Sequence, residues 1–426
     1  MKKCFLVAIS LALINITSAQ KTIIFCGQLI DVNALQVQKE MSVIITGNTI
    51  TDVIKGYAIP GAGDKIIDLK NKTVMPGLMD MHVHVEEETG PNHYIDRFTK
   101  NEADIAFKAV GLVEKDLMAG FTTLRDLGGS GVNISLRNAI NNGLVKGPRI
   151  YSAGKAIATT GGHADPTNNF NETIMGDPGP AEGVVNGVAD CAKAVRMRYK
   201  QGADLIKITA TGGVLSMAKD GSGAQFTEEE IKAIVTTAKD YGFKVAAHAH
   251  GAEGMKRAVL AGVNSIEHGT YMTAEIMELM KQKGTYLVPT IIAGKSSADS
   301  AKIPGYYPDI VRAKALVVGN YIQATFAKAY KAGVKIAFGT DAGVYSHGKN
   351  WMEFIYMTEA GMPILECIKA ATVNAADLLG VSNVLGSIEK GKYADIIAVD
   401  GDPVKDVQVM GKVKFVMKNG VVYKNE

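Results

Sequence analysis

At 426 residues the chain exceeds the size at which one hydrophobic core usually stops growing, which predicts one large domain with a smaller companion. Its 47% apolar and 21% charged residues are ordinary for a soluble globular protein, and its 46 glycines predict many turns. A net charge of +3 with no basic stripe argues against nucleic acid or an anionic membrane surface as a partner.

Lys2 and Lys3 precede an apolar run from Phe5 to Ile14, and Thr17-Ser18-Ala19 offers small residues for cleavage before Gln20. This reads as a secretory signal peptide over residues 1–19, too short and wrongly flanked for a permanent membrane span. The protein is therefore expected to be exported, periplasmic or secreted, after cleavage near Ala19. A buried N-terminal strand or an uncleaved anchor is the competing reading. No later stretch is long enough for a membrane helix. Cys26, Cys191 and Cys367 match no zinc module or disulfide framework and read as small buried hydrophobes.

Residues 21–70 hold short β-rich runs (KTIIFCGQLIDV, MSVIITGNTITDVI, KIIDL) with no helix signal, and residues 386–426 do the same with ADIIAVDG, VKFVMKNG and VVYKN. Between them one phrase recurs: an amphipathic helix, a glycine, then a short β-rich run. Gly120 precedes FTTL, Gly147 RIYSAG, Gly202 ADLIKI, Gly242 FKVAAHAH, Gly262 VNSIEHG, Gly284 TYLVPT and Gly333 VKIAFGT. Each glycine stands where a helix C-terminus favours a left-handed residue. With VMPGLMDMHVH near residue 80 these runs make eight strands. Thr227 and Glu230 form a capping box for a helix whose face is Ile231, Ile234, Val235 and Ala238. The alternation predicts an α/β fold, a (β/α)8 TIM barrel over 75–380, with a small flanking β-sandwich formed by both chain ends, 20–74 and 381–426. An open doubly wound sheet is the competing topology; the polar residues at the strand ends weigh against it.

His82 and His84 end the first barrel strand, two residues apart and so on one side. His248 and His250 end the fifth strand, His268 the sixth and Asp341 the eighth. In such a barrel these ends converge on one rim, and imidazoles with a carboxylate suit zinc or a similar divalent ion. Lys207 ends the fourth strand in the same register. It serves as a ligand only if carboxylated by carbon dioxide; otherwise it is a free ammonium that binds a substrate anion or pairs with Asp204.

PGLMDMHVH, the lysine-bearing fourth strand, His248, IEHG around His268 and GTDAG around Asp341 resemble the amidohydrolase superfamily. The nearest branch holds imidazolonepropionase-like proteins and metal-dependent dipeptidases or carboxypeptidases, Xaa-Pro dipeptidase-like members included. The likeness runs from the opening GQLID to the closing GSIEKGKYADIIAVDGDP. It implies two divalent metal ions: His82, His84 and Asp341 on one, His248 and His268 on the other, and carboxylated Lys207 bridging them. A water shared by two such ions is acidified enough to attack a carbonyl at neutral pH, and Asp341 would carry its proton to the leaving amine.

The implied reaction is hydrolysis of the peptide or amide bond of a small peptide-like substrate, a dipeptide or N-acyl amino acid. Opening of a cyclic amide or lactone, and a barrel that only binds, are the rival readings. Substrate contacts stay open at several positions. His163 is a carboxylate-binding pocket residue or loop packing, and His250 touches substrate or supports the site. Arg125 holds a carboxylate or pairs with Asp126. Tyr271, Tyr345 and His347 are rim candidates by position, and His93 reads as an ordinary loop histidine. Homo-oligomerisation also stays open.

Overall fold

The computed structural model describes residues 20–219 and 221–426; the expected signal peptide, 1–19, lies outside the described residues. The N-terminal runs form β1 (Lys21–Asp31), β2 (Gln36–Thr46), β3 (Thr49–Lys55) and β4 (Lys65–Pro76). The middle of the chain supplies β5 (Leu78–Val83), β6 (Phe121–Asp126), β7 (Arg149–Ser152), β8 (Ala158–Thr159) and β9 (Val184–Val185). It continues with β10 (Ile206–Thr209), β11 (Val245–Ala249), β12 (Ser265–His268) and β13 (Tyr286–Val288). The C-terminal runs form β14 (Ile396–Val399), β15 (Val413–Lys418) and β16 (Val421–Asn425).

The two chain ends build one mixed sheet in the order β16-β15-β14-β4-β1-β2-β3. Its seam is the antiparallel pair β4–β14, where Met75 faces Ile397 and Val74 faces Ala398. Residues from both ends, among them Ile24, Val43, Val74, Ile396 and Phe415, share one apolar cluster, which makes this sheet the flanking sandwich. At the bulge between Cys26 and Gln28 the strands leave no room for a side chain: a Cβ on Gly27 would lie 1.9 Å from the Lys70 carbonyl oxygen. After β4 the chain passes through Gly77 alone into β5. Gly77 donates its N–H to Asp395 O at 2.8 Å, so the first barrel strand is a direct extension of the sandwich.

Parallel pairing gives β5-β6-β7 and β10-β11-β12-β13. Ile157 joins the two groups, its N–H donating to Lys207 O at 2.8 Å and its carbonyl accepting from Thr209 N at 3.1 Å. The eighth run, VKIAFGT, closes the ring without becoming a regular strand. Its backbone is shared three ways: Ala337 N to Leu287 O on β13, Met81 N to Phe338 O on β5, and Phe338 N to Ala370 O of a π-turn at Ala370–Asn374. The eight-stranded barrel is thus closed.

Helices cover the outside. Glu228–Asp240 carries the expected capping box, with Thr227 Oγ1 accepting from Glu230 N at 3.2 Å and Glu230 Oε2 from Thr227 N at 2.9 Å. Its Ile231, Ile234 and Ala238 are buried. Gly202 and Gly262 end their helices with φ of 83° and 98°, as the repeat predicts. Gly147 differs: the left-handed residue after helix Val132–Asn141 is Gly143, with φ 71°, and Gly147 instead packs closely on Ile140, whose Cδ1 would lie 2.5 Å from a Cβ there. All three described cysteines are free and buried. Among the described residues no helix is long and apolar enough to cross a membrane.

Candidate metal centre

The strand ends bring the expected residues to one point. His82 Nε2 and His84 Nε2 lie 3.5 and 3.4 Å from Asp341 Oδ1, and Lys207 Nζ lies 3.4 Å from His82 Nε2. The rings of His82 and His268 have centroids 4.9 Å apart, and those of His248 and His268 4.7 Å. Two groups have donor atoms within 4.8 Å of one another, His82–His268–Asp341 and His248–His250–His268. They share His268, so the geometry offers two adjacent cation positions. His250 stands with the second group.

Each ring is fixed by its outer nitrogen. His84 Nδ1 lies 2.8 Å from Gly128 O and His82 Nδ1 3.0 Å from Glu267 Oε2. Both partners only accept, so the proton sits on Nδ1 and Nε2 keeps its lone pair for the centre. His248 is reversed: Nε2 lies 3.1 Å from Gly212 O, which leaves Nδ1 as the donor atom. His268 Nδ1 and His250 Nδ1 meet the hydroxyls of Thr290 and Thr270, each at 2.7 Å.

The electrostatics favour a cation. Burial drives the imidazoles of His82, His248 and His268 well below the usual histidine range, so they are neutral at pH 7 and free to ligate. Burial also lowers Lys207 to about 8. It raises the Asp341 carboxyl, whose Oδ1 is buried without a hydrogen-bond partner, and a cation at that oxygen would reverse the shift. An orphaned carboxylate oxygen among neutral imidazole nitrogens fits a divalent ion. Asp341 and His268 hold left-handed backbone, φ 61° and 71°, which non-glycine residues adopt at a cost.

The other expected residues divide. His163 stacks on His248 and belongs to the site. Tyr271 remains partly exposed beside it, its N–H donating to His250 O at 2.9 Å. Three expectations are corrected. Arg125 pairs neither with a rim anion nor with Asp126; it is buried in the barrel interior, 2.8 Å from Glu267. Tyr345 is packed in the main hydrophobic core. His347 is buried behind the barrel wall, with Nδ1 2.7 Å from Asp116 Oδ2. Arg125 lies within β6 and the other two follow the closing segment, and in each case the side chain is buried against protein groups. His93 is the loop residue expected, 3.3 Å from Glu87.

Sequence reasoning missed Glu267 and Asp80. Glu267 precedes His268 and shares the inward period of Ser265; an acid there needs a cation, and Arg125, on the facing strand β6, supplies it. Asp80 binds Thr340 Oγ1 at 2.6 Å and Asn350 Nδ2 at 2.8 Å, tying the first strand to the closing segment that carries Asp341. Above the centre, Lys314 on helix Asp309–Lys331 donates to the carbonyls of Gly213, Ser216 and Ala218 at 2.7–2.8 Å, fixing a loop that begins beside His248.

Imidazoles and a carboxylate gathered at the C-terminal rim of a parallel eight-stranded barrel define a metal-dependent hydrolase. The chain belongs to the amidohydrolase family, whose pattern it matches over residues 73–423. It is 53% identical to a Xaa-Pro dipeptidase solved with methionine bound in its active site, covering 95% of this chain and 100% of that one with a TM-score of 0.93. A prolidase complexed with N-methylphosphonate-L-proline is 31% identical, covers 96% and 100%, and has a TM-score of 0.87. Ochratoxinase of Aspergillus niger is 32% identical over 97% of this chain and 89% of its own length. The protein is a metal-dependent hydrolase of amide carbon–nitrogen bonds.

Proposed function

We propose that the chain is a binuclear zinc dipeptidase that cleaves the bond before a C-terminal proline. The observation that carries this reading is the convergence of His82, His268 and Asp341 beside His248, His250 and Lys207. The 53% identical Xaa-Pro dipeptidase supports the substrate class. Two divalent ions held by His82, His84, Asp341, His248 and His268 would supply an acidified water and a Lewis acid for the scissile carbonyl. Zinc suits this nitrogen-rich donor set.

Lys207 is proposed to be carboxylated and to bridge the two ions. Burial lowers its amine to about 8, so an uncharged fraction is available near neutrality to take up carbon dioxide and release a proton. The Asp341 carboxylate, buried and with Oδ1 unpartnered, would take the proton of the attacking water and deliver it to the leaving nitrogen. His163, neutral at pH 7, offers an N–H to the substrate carboxylate.

Export is proposed from Lys2, Lys3 and the apolar run that follows them. Mass measurement of the periplasmic or secreted protein is expected to give a chain starting at Gln20; an intact Met1 on the mature protein would refute cleavage.

The substrate reading is tested on matched panels of Xaa-Pro dipeptides, other dipeptides and lactams with the zinc-loaded protein. Release of free proline at a kcat/KM at least about 10-fold above other dipeptides is expected. Turnover of lactams alone would replace this reading with cyclic-amide hydrolysis. Two bound metals with no amide cleaved would leave only a binding role.

A further inference from the structure

Arg125 and Glu267 are 2% and 0% exposed in their side chains, inside the barrel below the metal centre. Arg125 rises from β6 and Glu267 from β12, and Arg125 Nη2 lies 2.8 Å from Glu267 Oε1. The guanidinium is otherwise occupied: Nη1 donates to Ser265 Oγ at 3.1 Å and Nε to the Met81 carbonyl, one residue before His82. Ser265 donates its hydroxyl to the same carboxylate oxygen, Oε1. That leaves Oε2 of Glu267 for Nδ1 of His82, 3.0 Å away.

The contrast with the other rings is chemical. His84 and His248 rest on backbone carbonyls, and His250 and His268 on threonine hydroxyls. Among these five rings His82 alone leans on a charged acceptor. A carboxylate behind an imidazole makes the opposite nitrogen a stronger donor to a metal than a neutral acceptor does. Fold stability alone is a weak reason for the pair, because apolar side chains of similar volume often replace a buried ion pair at no loss.

We propose that Arg125 and Glu267 act as a positioning pair for His82. Glu267 sets the tautomer and direction of the ring, and Arg125 locks Glu267 and the backbone of β5 at Met81. His82 Nε2 is thereby aimed at one of the two cation positions. The proposal rests on the metal reading of the site and is independent of which amide is cleaved.

The test measures zinc affinity by chelator competition, and thermal midpoint, in Glu267→Gln and in the double variant Arg125→Met/Glu267→Leu. Glutamine can keep its oxygen toward His82 only by turning its amide onto the guanidinium, where donor meets donor. Glu267→Gln is expected to bind one zinc about 10–100-fold more weakly and the other as the wild type does. The double variant is expected to regain the thermal midpoint lost in Glu267→Gln without regaining zinc affinity. A role confined to folding predicts the reverse, with affinity returning alongside the midpoint, and that result would overturn the proposal. Unchanged affinity at both positions in folded Glu267→Gln would do the same. A wild type that takes up no zinc would sink this inference and the metal reading together, whereas zinc binding without dipeptide cleavage would count only against the substrate reading.

Discussion

The imidazole of His163 lies against that of His248, ring centroids 4.3 Å apart and planes inclined by 29°, with His163 Nδ1 buried and unpartnered. Burial is the main cause that lowers His163 to about 3, with His250 and Lys207 adding repulsion. A histidine in the unfolded chain titrates near 6.5. Between those values the unfolded chain takes up a proton that the folded one refuses. The stability this position contributes is complete above about 6.5 and is lost as pH falls toward 3. At pH 5 the loss reaches at most about 2 kcal/mol. His163→Asn is therefore expected to show a smaller drop in thermal midpoint between pH 7.5 and pH 5 than the wild type. Equal drops would mean that the ring titrates normally.

Gly213 sets the position of that ring from the other side. A Cβ there would lie 2.2 Å from His163 Cε1 and 2.4 Å from Nδ1, so Gly213→Ala must push the imidazole away. Overpacking of this kind costs about 1–3 kcal/mol. Gly213→Ala is expected to lower kcat/KM while metal content stays at the wild-type value. The same substitution in a His163→Ala background should cost less stability than it does alone, which a double-mutant cycle would read directly.

Lys207 Nζ lies 3.4 Å from His82 Nε2, and the residue is 3% exposed; the proposed bridging role can be tested by removing the nitrogen. Lys207→Met fills the same volume without a nitrogen. It is expected to lose metal by elemental analysis and to be insensitive to bicarbonate during expression. Chelation should lower the thermal midpoint of the wild type, since a cation at about 1,000 times its Kd stabilises by about 4 kcal/mol. In Lys207→Met the chelator shift should be much smaller. Full metal retention in that variant would exclude the bridging role.

Asp341 combines the proton role proposed for its carboxylate with a left-handed backbone, φ 61°. Asparagine meets the second and not the first. Asp341→Asn is expected to reduce kcat by about 10²–10⁴ at saturating metal. Asp341→Ala should share that loss and also be less stable than the asparagine variant by about 1 kcal/mol, because alanine resists the left-handed region. Turnover in Asp341→Asn equal to wild type would remove the proton role.

The barrel was legible because buried parallel strands read as short apolar runs and because helices ending in glycine punctuate them. The metal centre was legible because ligands on strand ends must converge once the barrel closes. Depth and direction were not. Arg125 lies in a strand, so alternation says that it can face the interior, but only the twist and tilt of the barrel place it below the centre beside Glu267. Tyr345 and His347 follow the closing segment beyond a turn in which Val344 N donates to Asp341 O at 3.0 Å, and both end up buried. That segment itself departs from a regular strand because a π-turn beyond the barrel takes part of its hydrogen bonding, a partner no local pattern announces.

The passage from β4 through Gly77 into β5 has a consequence for the order in which the protein assembles. The strand that leads into His82 and His84 is synthesised early together with β1, which pairs along one edge of its extension β4, whereas β14, which pairs along the other edge, lies far later in the chain. Pairings that span most of a chain form slowly. The first two histidines thus emerge from the ribosome long before β14, so one of the two edges of the strand behind them is left open until that later segment has been made.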